Sequence, residues 1–150
     1  MAKLTRKDVI ARVEVGDSLE QEDISALDLS RANLSKANLR WANLTGANLT
    51  GAKLIGADLI GADLSKARLI EADLWWGQLI GADLTGADLI GVDLSRADLS
   101  RADLRNANLT EADLVGADLS RANLTGADMS KAKYTQVQLE DALNVDKVIL

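Results

Sequence analysis

Leucine occupies every fifth position from Leu29 to Leu124, twenty times without a break. Ile24 precedes this series in the same frame, and Met129, Tyr134 and Leu139 follow it. The residue two before each central position is Ala almost throughout; between 27 and 137 only Leu27, Gly77, Val92 and Val137 depart. Asp or Asn usually stands between the two. The unit is A-[DN]-L-x-x, and the 120 residues from Glu22 to Asp141 hold 24 copies of it.

A period of five suits neither common secondary structure. On a helix each residue turns about 100°, so successive leucines scatter around the axis and form no buried stripe. On one continuous strand an odd period sends them alternately to opposite faces. A chain that turns a corner once per repeat avoids both outcomes. Every Leu then points toward a shared axis with its Ala beside it, and the backbone coils into a solenoid. The Asp or Asn between them faces water, as do the two residues after Leu.

The corner chemistry is consistent with that path. Nine glycines (Gly46, Gly51, Gly56, Gly61, Gly81, Gly86, Gly91, Gly116 and Gly126) share the second position after Leu, where a turn can require positive φ. Short Asp, Asn, Ser and Thr side chains can bond nearby backbone at such turns. Arg31, Trp41, Trp76 and Arg101 occupy the same position elsewhere. These bulky residues predict that positive φ is not required at every corner and that two turn types alternate. The open ends of such a stack need covers. At the N-terminus, Thr5 can cap a helix with Asp8 nearby; Val9, Ile10 and Val13 form its apolar stripe, and Gly16 ends it. At the other end Leu143, Val145, Val148, Ile149 and Leu150 can plug the last coil or bind a second subunit, as a homodimer through the C-terminal segment.

Composition removes most enzyme chemistry. The 150 residues contain no Cys, no His and no Pro, which excludes disulfides, imidazole or thiolate metal sites and Ser-His-Asp triads. No window approaches the roughly 18 consecutive apolar residues of a membrane span. Charges run through MAKLTRKDVIARVEV, so a soluble, cytoplasmic chain is expected. The carboxylates sit on a convex, solvated surface with no implied pocket, and no enzyme activity or cofactor is expected. Flat Asp columns do not converge the six to eight oxygens that calcium takes, so no metal site is expected either. Scattered basic residues and the absence of a glycine-rich phosphate loop argue against nucleic-acid or nucleotide binding.

The unit A-[DN]-L-[ST]-x, as in Ala47-Asn48-Leu49-Thr50-Gly51, resembles the pentapeptide-repeat family, and the resemblance covers 120 of the 150 residues. It implies an all-β fold, a right-handed quadrilateral β-helix with four repeats per coil. With 24 repeats that makes about six coils, stacked to roughly 29 Å at ordinary strand spacing. The expected organisation is an N-terminal cap over 1–21 with its helix at about 5–15, the β-helix over 22–141, and a C-terminal cap over 142–150. The expected function is that of a non-enzymatic, rigid scaffold for protein–protein interaction.

Four repeats per coil would stack residues twenty apart. Asp63, Asp83 and Asp103 then share one face, and Asp73, Asp93 and Asp113 the opposite one. Arg68 below Asp88, with Lys53 and Lys133 bracketing the second column, should offset the like-charge repulsion in part. The chain carries 17 basic and 23 acidic residues, a formal charge of −6. From Ile55 to Asp128 there are 13 acids and 6 bases, a net of −7, whereas Glu22 to Leu54 has 4 bases and 3 acids, a net of +1. Some pentapeptide-repeat proteins are similar to a DNA duplex in width and charge and bind type II topoisomerases, including DNA gyrase. The resemblance therefore raises a DNA-mimicking modulator of such an enzyme as an alternative. No insertion interrupts the repeats, so the loops that some relatives use to recognise gyrase have no counterpart. The other reading of the acidity is turn chemistry and solubility alone.

A second feature is the run of apolar residues directly after Leu: Ile55, Ile60, Ile70, Trp75, Ile80 and Ile90, with Trp76 beside them. They would form a belt on three faces near mid-rod. Such a belt either binds a partner or stabilises stacked strands through β-branched ladders, with Trp76 lying over the Arg96 guanidinium.

Overall fold

The computed structural model describes residues 3–150. Its repetitive part is a solenoid in which each central Asp, Asn or substitute makes a parallel bridge to the residue twenty positions on. Four ladders result. Ladder 1 runs from Asp23 through Asn43, Asp63, Asp83 and Asp103 to Asn123 and Leu143. Ladder 2 links Asp28, Asn48, Arg68, Asp88, Asn108 and Asp128; ladder 3 links Asn33, Lys53, Asp73, Asp93, Asp113 and Lys133; ladder 4 links Asn38, Asp58, Gln78, Asp98 and Asp118. Each bridge is short because the chain turns again within five residues.

The leucine column is fully buried, lined by the equally buried alanines. Ala fits beside Leu because facing sides of a narrow coil leave no room for a second large side chain. The column begins at Leu19, one repeat before the boundary expected at Glu22, and its N–H already donates to Asn38 O at 2.9 Å.

The backbone donors of one repeat can all be traced. Leu64 N–H donates to Asp83 O (2.7 Å) and Lys66 N–H to Thr85 O (3.0 Å), both one coil ahead. Arg68 N–H donates to Ala47 O one coil behind (2.9 Å), and Ala67 N–H closes the turn on Leu64 O (3.0 Å). The fifth donor, Ser65 N–H, goes to the Asp63 carboxylate at 2.9 Å. A buried or half-buried N–H without a partner is costly, so in most units the Asp or Asn supplies the one acceptor that the ladders cannot.

Every corner from Gln21 to Lys131 has positive φ, including the bulky Arg31, Trp41, Trp76 and Arg101 at 55°, 56°, 58° and 59°. The expected alternation of turn types is therefore wrong: a single type, with positive φ only at its third residue, serves throughout. A non-glycine residue pays about 1–2 kcal/mol for this conformation. Two forces hold it there. The corner N–H is bonded to the next coil, as in Arg31 to Thr50 O (2.9 Å), and several of the long side chains lie over a glycine twenty residues on. Trp41 lies directly over Gly61, twenty residues on, where a methyl group would collide with the ring. The Arg31 stem similarly overlies Gly51, and that of Glu71 overlies Gly91.

Helix α1 (Arg6–Val15) covers the first coil. Thr5 and Asp8 form a reciprocal capping box, Gly16 ends the helix in the left-handed region, and Val9 is buried, with Ile10 and Val13 partly so. The Arg6 guanidinium donates to Asp28 O and Ser30 O at 2.8 and 2.9 Å, using carbonyls at the coil edge. The last coil is less regular. Helix α2 (Gln136–Glu140) replaces a repeat within the span expected to continue to Asp141, and the Gln138 side chain donates to Leu114 O and Ala117 O instead of bridging Asp118. A 3-10 turn at Val145–Lys147 adds one residue, so Asp128 pairs with Ile149. Of the C-terminal apolar residues, Val148 packs on the core, while Leu143, Val145, Ile149 and Leu150 stay exposed.

Candidate interaction surface

The outward surface consists of three residues per repeat: the ladder residue, the residue after Leu and the corner. Eighteen Asp or Asn side chains accept the N–H two residues on, at 2.8–3.2 Å. These bonds favour the ionised carboxylate. The Ser25, Ser30 and Ser130 hydroxyls and N–H groups hold Asp23, Asp28 and Asp128 below the usual carboxylate range. Burial pushes Asp63 up, but Ser65 outweighs it and the net shift is downward. At Asp103 the Arg105 side chain is the main cause of a lowered value.

Asp63, Asp83 and Asp103 are adjacent rungs of ladder 1, and Asp73, Asp93 and Asp113 of ladder 3, half a coil away. Lys133 pairs with Asp113 at 3.3 Å. The offsets expected from Arg68 at Asp88 and from Lys53 at Asp73 are not ion pairs among the described residues. Asp88 Oδ1 is buried and has no partner. Arg40 with Asp58 (3.2 Å) and Arg105 with Asp103 (2.6 Å) are pairs that the stacking argument missed. Both join a ladder residue to the position after Leu, on the neighbouring coil or within the same turn.

The belt residues lie on three ladders. Ile70 and Ile90 follow ladder 2, Ile55 and Trp75 follow ladder 3, and Ile60 and Ile80 follow ladder 4. Stacking shields them, so the five isoleucines are half-buried rather than open to solvent. Trp75 and Trp76 remain 38% and 52% exposed, and Trp41 is 56% exposed. The partner of Trp76 is Trp75, with ring centroids 5.0 Å apart and planes 7° from parallel; no stack on Arg96 forms among the described residues. The Arg96 stem instead overlies Gly116, on the following coil. Where Lys53, Arg68 and Gln78 replace Asp or Asn, and at Asp88, the next-but-one residue is Ile, and its N–H has no partner among the described residues.

No group of three or more metal-ligating side chains converges among the described residues, and no helix there is long and apolar enough to cross a membrane.

The family model described as pentapeptide repeats matches in eight copies over residues 25–51, 47–86, 67–106 and 102–141. No curated protein sequence matches the chain. Among solved structures, HetL, a pentapeptide repeat protein involved in heterocyst differentiation regulation from the cyanobacterium Nostoc sp. strain PCC 7120, is similar. It is 27% identical with a TM-score of 0.64, over 95% of this chain and 77% of its own. QnrB1, a plasmid-mediated fluoroquinolone resistance protein seen in a trypsin-treated form, is also similar: 27% identical with a TM-score of 0.52, over 82% of this chain and 67% of its own.

Proposed function

The chain belongs to the pentapeptide-repeat family, and from that premise we propose that it is a non-enzymatic, cytoplasmic binding scaffold. In this reading it is a right-handed, four-sided β-helix of about six coils that presents fixed rows of side chains to a protein partner. The observation that carries the proposal is the saturation of the backbone: ladders, turns and Asp or Asn side chains take up nearly every N–H of the coils. Such a surface has only side chains to offer, held at constant spacing, and a partner that matches them loses little entropy in ordering them. Native-state hydrogen exchange tests this. Ladder amides from Leu29 to Leu124 should exchange only through global unfolding, and independent opening of single mid-rod coils would remove the rigid-scaffold reading.

A second reading is a DNA-mimicking modulator of a type II topoisomerase such as DNA gyrase. The in-register carboxylates of Asp63, Asp83 and Asp103 and of Asp73, Asp93 and Asp113 support it, as does the likeness to QnrB1, a fluoroquinolone resistance protein. Charge of this kind can steer association with a basic surface. Against it, Asx bonding already accounts for Asp at these positions. A gyrase supercoiling assay separates the two: inhibition or quinolone protection at micromolar protein assigns the second reading, and no effect removes it. Sedimentation velocity decides whether the exposed Leu143, Val145, Ile149 and Leu150 join two copies.

A further inference from the structure

We infer that the mid-rod corner between ladders 3 and 4, built on Trp75 and Trp76, docks an arginine-bearing segment of the partner protein. This rests on the scaffold reading and gives it a place and a chemistry.

The aromatic pair is exposed and held in place. Trp75 N–H donates to Asp73 Oδ1 at 3.1 Å and Trp75 O accepts from Gly56 N at 2.9 Å, while Trp76 N–H donates to Ser95 O at 3.2 Å. The backbone of Trp75 is therefore tied to the coil before it and that of Trp76 to the coil after it. The parallel stack covers one face of each ring and leaves an outer face, and Trp76 keeps about half its surface in water. Large rigid aromatics of this kind anchor interfaces because little side-chain entropy remains to be lost.

The charge beside the rings selects the partner. Asp73 precedes the Trp pair on the same repeat, Asp93 is the next rung above it, and Glu71 stands at the preceding corner, between ladders 2 and 3. None of the three forms an ion pair among the described residues. Two cations are near in register, Lys53 one rung below Asp73 and Arg96 one coil above Trp76. The Arg96 stem is drawn over Gly116, one coil further on. An exposed indole face next to unpaired carboxylates fits a guanidinium, which stacks flat on the ring and presents a fork of N–H donors to a carboxylate. A lysine ammonium satisfies the charge but lacks the planar fork.

The test uses a fluorescein-labelled peptide alternating arginine with alanine, read by anisotropy and by quenching of tryptophan fluorescence. Peptides with citrulline or lysine in place of arginine serve as controls. The Trp75→Ser/Trp76→Ser double variant should weaken binding about tenfold or more. Asp83→Asn/Asp103→Asn removes two charges from ladder 1 while keeping the Asx bonds, and should bind within about twofold of the parent. Arginine should bind more tightly than lysine, and citrulline should not bind. Circular dichroism verifies that both variants remain folded. Equal weakening in the two variants overturns the inference in favour of diffuse attraction, and no binding by the parent also overturns it. A homodimer that dissolves in the Trp variant overturns it as well, because the occupant is then a second copy. The scaffold reading stands in all three cases and falls separately, on the hydrogen-exchange result.

Discussion

At Ser65 and at Ile80 the chain makes the same left-handed corner, at Lys66 with φ 56° and at Gly81 with φ 63°, yet the two are closed by different chemistry. Asp63 accepts the Ser65 N–H at 2.9 Å and the Ser65 hydroxyl at 2.6 Å. Before Ile80 stands Gln78, and the Ile80 N–H finds no acceptor among the described residues. What Ile80 contributes instead is half-buried apolar area stacked on Ile60. The comparison separates two ways to stabilise one backbone turn. A polar corner satisfies its own donor and leaves a hydrophilic surface, whereas the corner at Ile80, like those at Ile55, Ile70 and Ile90 but unlike that at Ile60, leaves the donor open and sets a half-buried apolar side chain against the neighbouring coil. The second kind collects around Trp75 and Trp76, where the surface is suited to a partner.

The largest test concerns what the two corner types share. Leu79→Ala and Leu99→Ala, behind an isoleucine corner and a serine corner respectively, should each cost about 2–5 kcal/mol in urea unfolding. A clear inequality between them would break the idea of one uniform column. Next in size, Asp98→Ala removes the acceptor of Ser100 N–H (2.9 Å) and should cost about 1–2 kcal/mol. Asp88→Ala removes a carboxylate whose Oδ1 is buried and unpaired, so it should leave stability unchanged or raise it. A cost at Asp88 equal to that at Asp98 would show that the Asx bond is not what distinguishes the corners.

Acid sharpens the same contrast. Asp23, Asp28, Asp63, Asp103 and Asp128 have folded values below their ordinary one. Their contribution is present above the unfolded value of about 3.9 and is lost as pH falls through the lower folded values. Melting temperature should therefore hold through neutral pH and fall below about pH 4. Asp63→Asn should flatten that fall, because an amide keeps the turn bond and does not titrate. Smallest of all, Trp75→Ser should lower the unfolding free energy by less than about 1 kcal/mol. A larger loss with unchanged association would place Trp75 in the packing of the belt rather than in docking.

Much of this was legible in the residues. Asp at the second position of the unit reads as turn chemistry, and the isoleucines after Leu read as outward apolar positions. Their half-burial was not legible, because it depends on which coil covers which. The Trp75–Trp76 stack was missed for a related reason: position in a column says nothing about ring orientation, and Trp76, unlike Trp41, has Arg96 rather than a glycine twenty residues on. Leu19 lay five residues before Ile24 and could have extended the frame. The one-residue slip at Asp128 and Ile149 had no signal, because no repeat remains there to fix the register.

The period of five, by itself, determined that leucine and alanine would line a coiled interior, since no straight element can turn residues at that spacing to one side. The tertiary structure alone decided that every corner would be left-handed, whatever its side chain, and which surface groups would meet. The bonds that impose this run between backbone N–H and C=O groups of stacked coils. Those groups are the same in every residue here, so at corners such as Arg31 and Trp41, where no glycine stands, their pairing leaves no mark in the side chain.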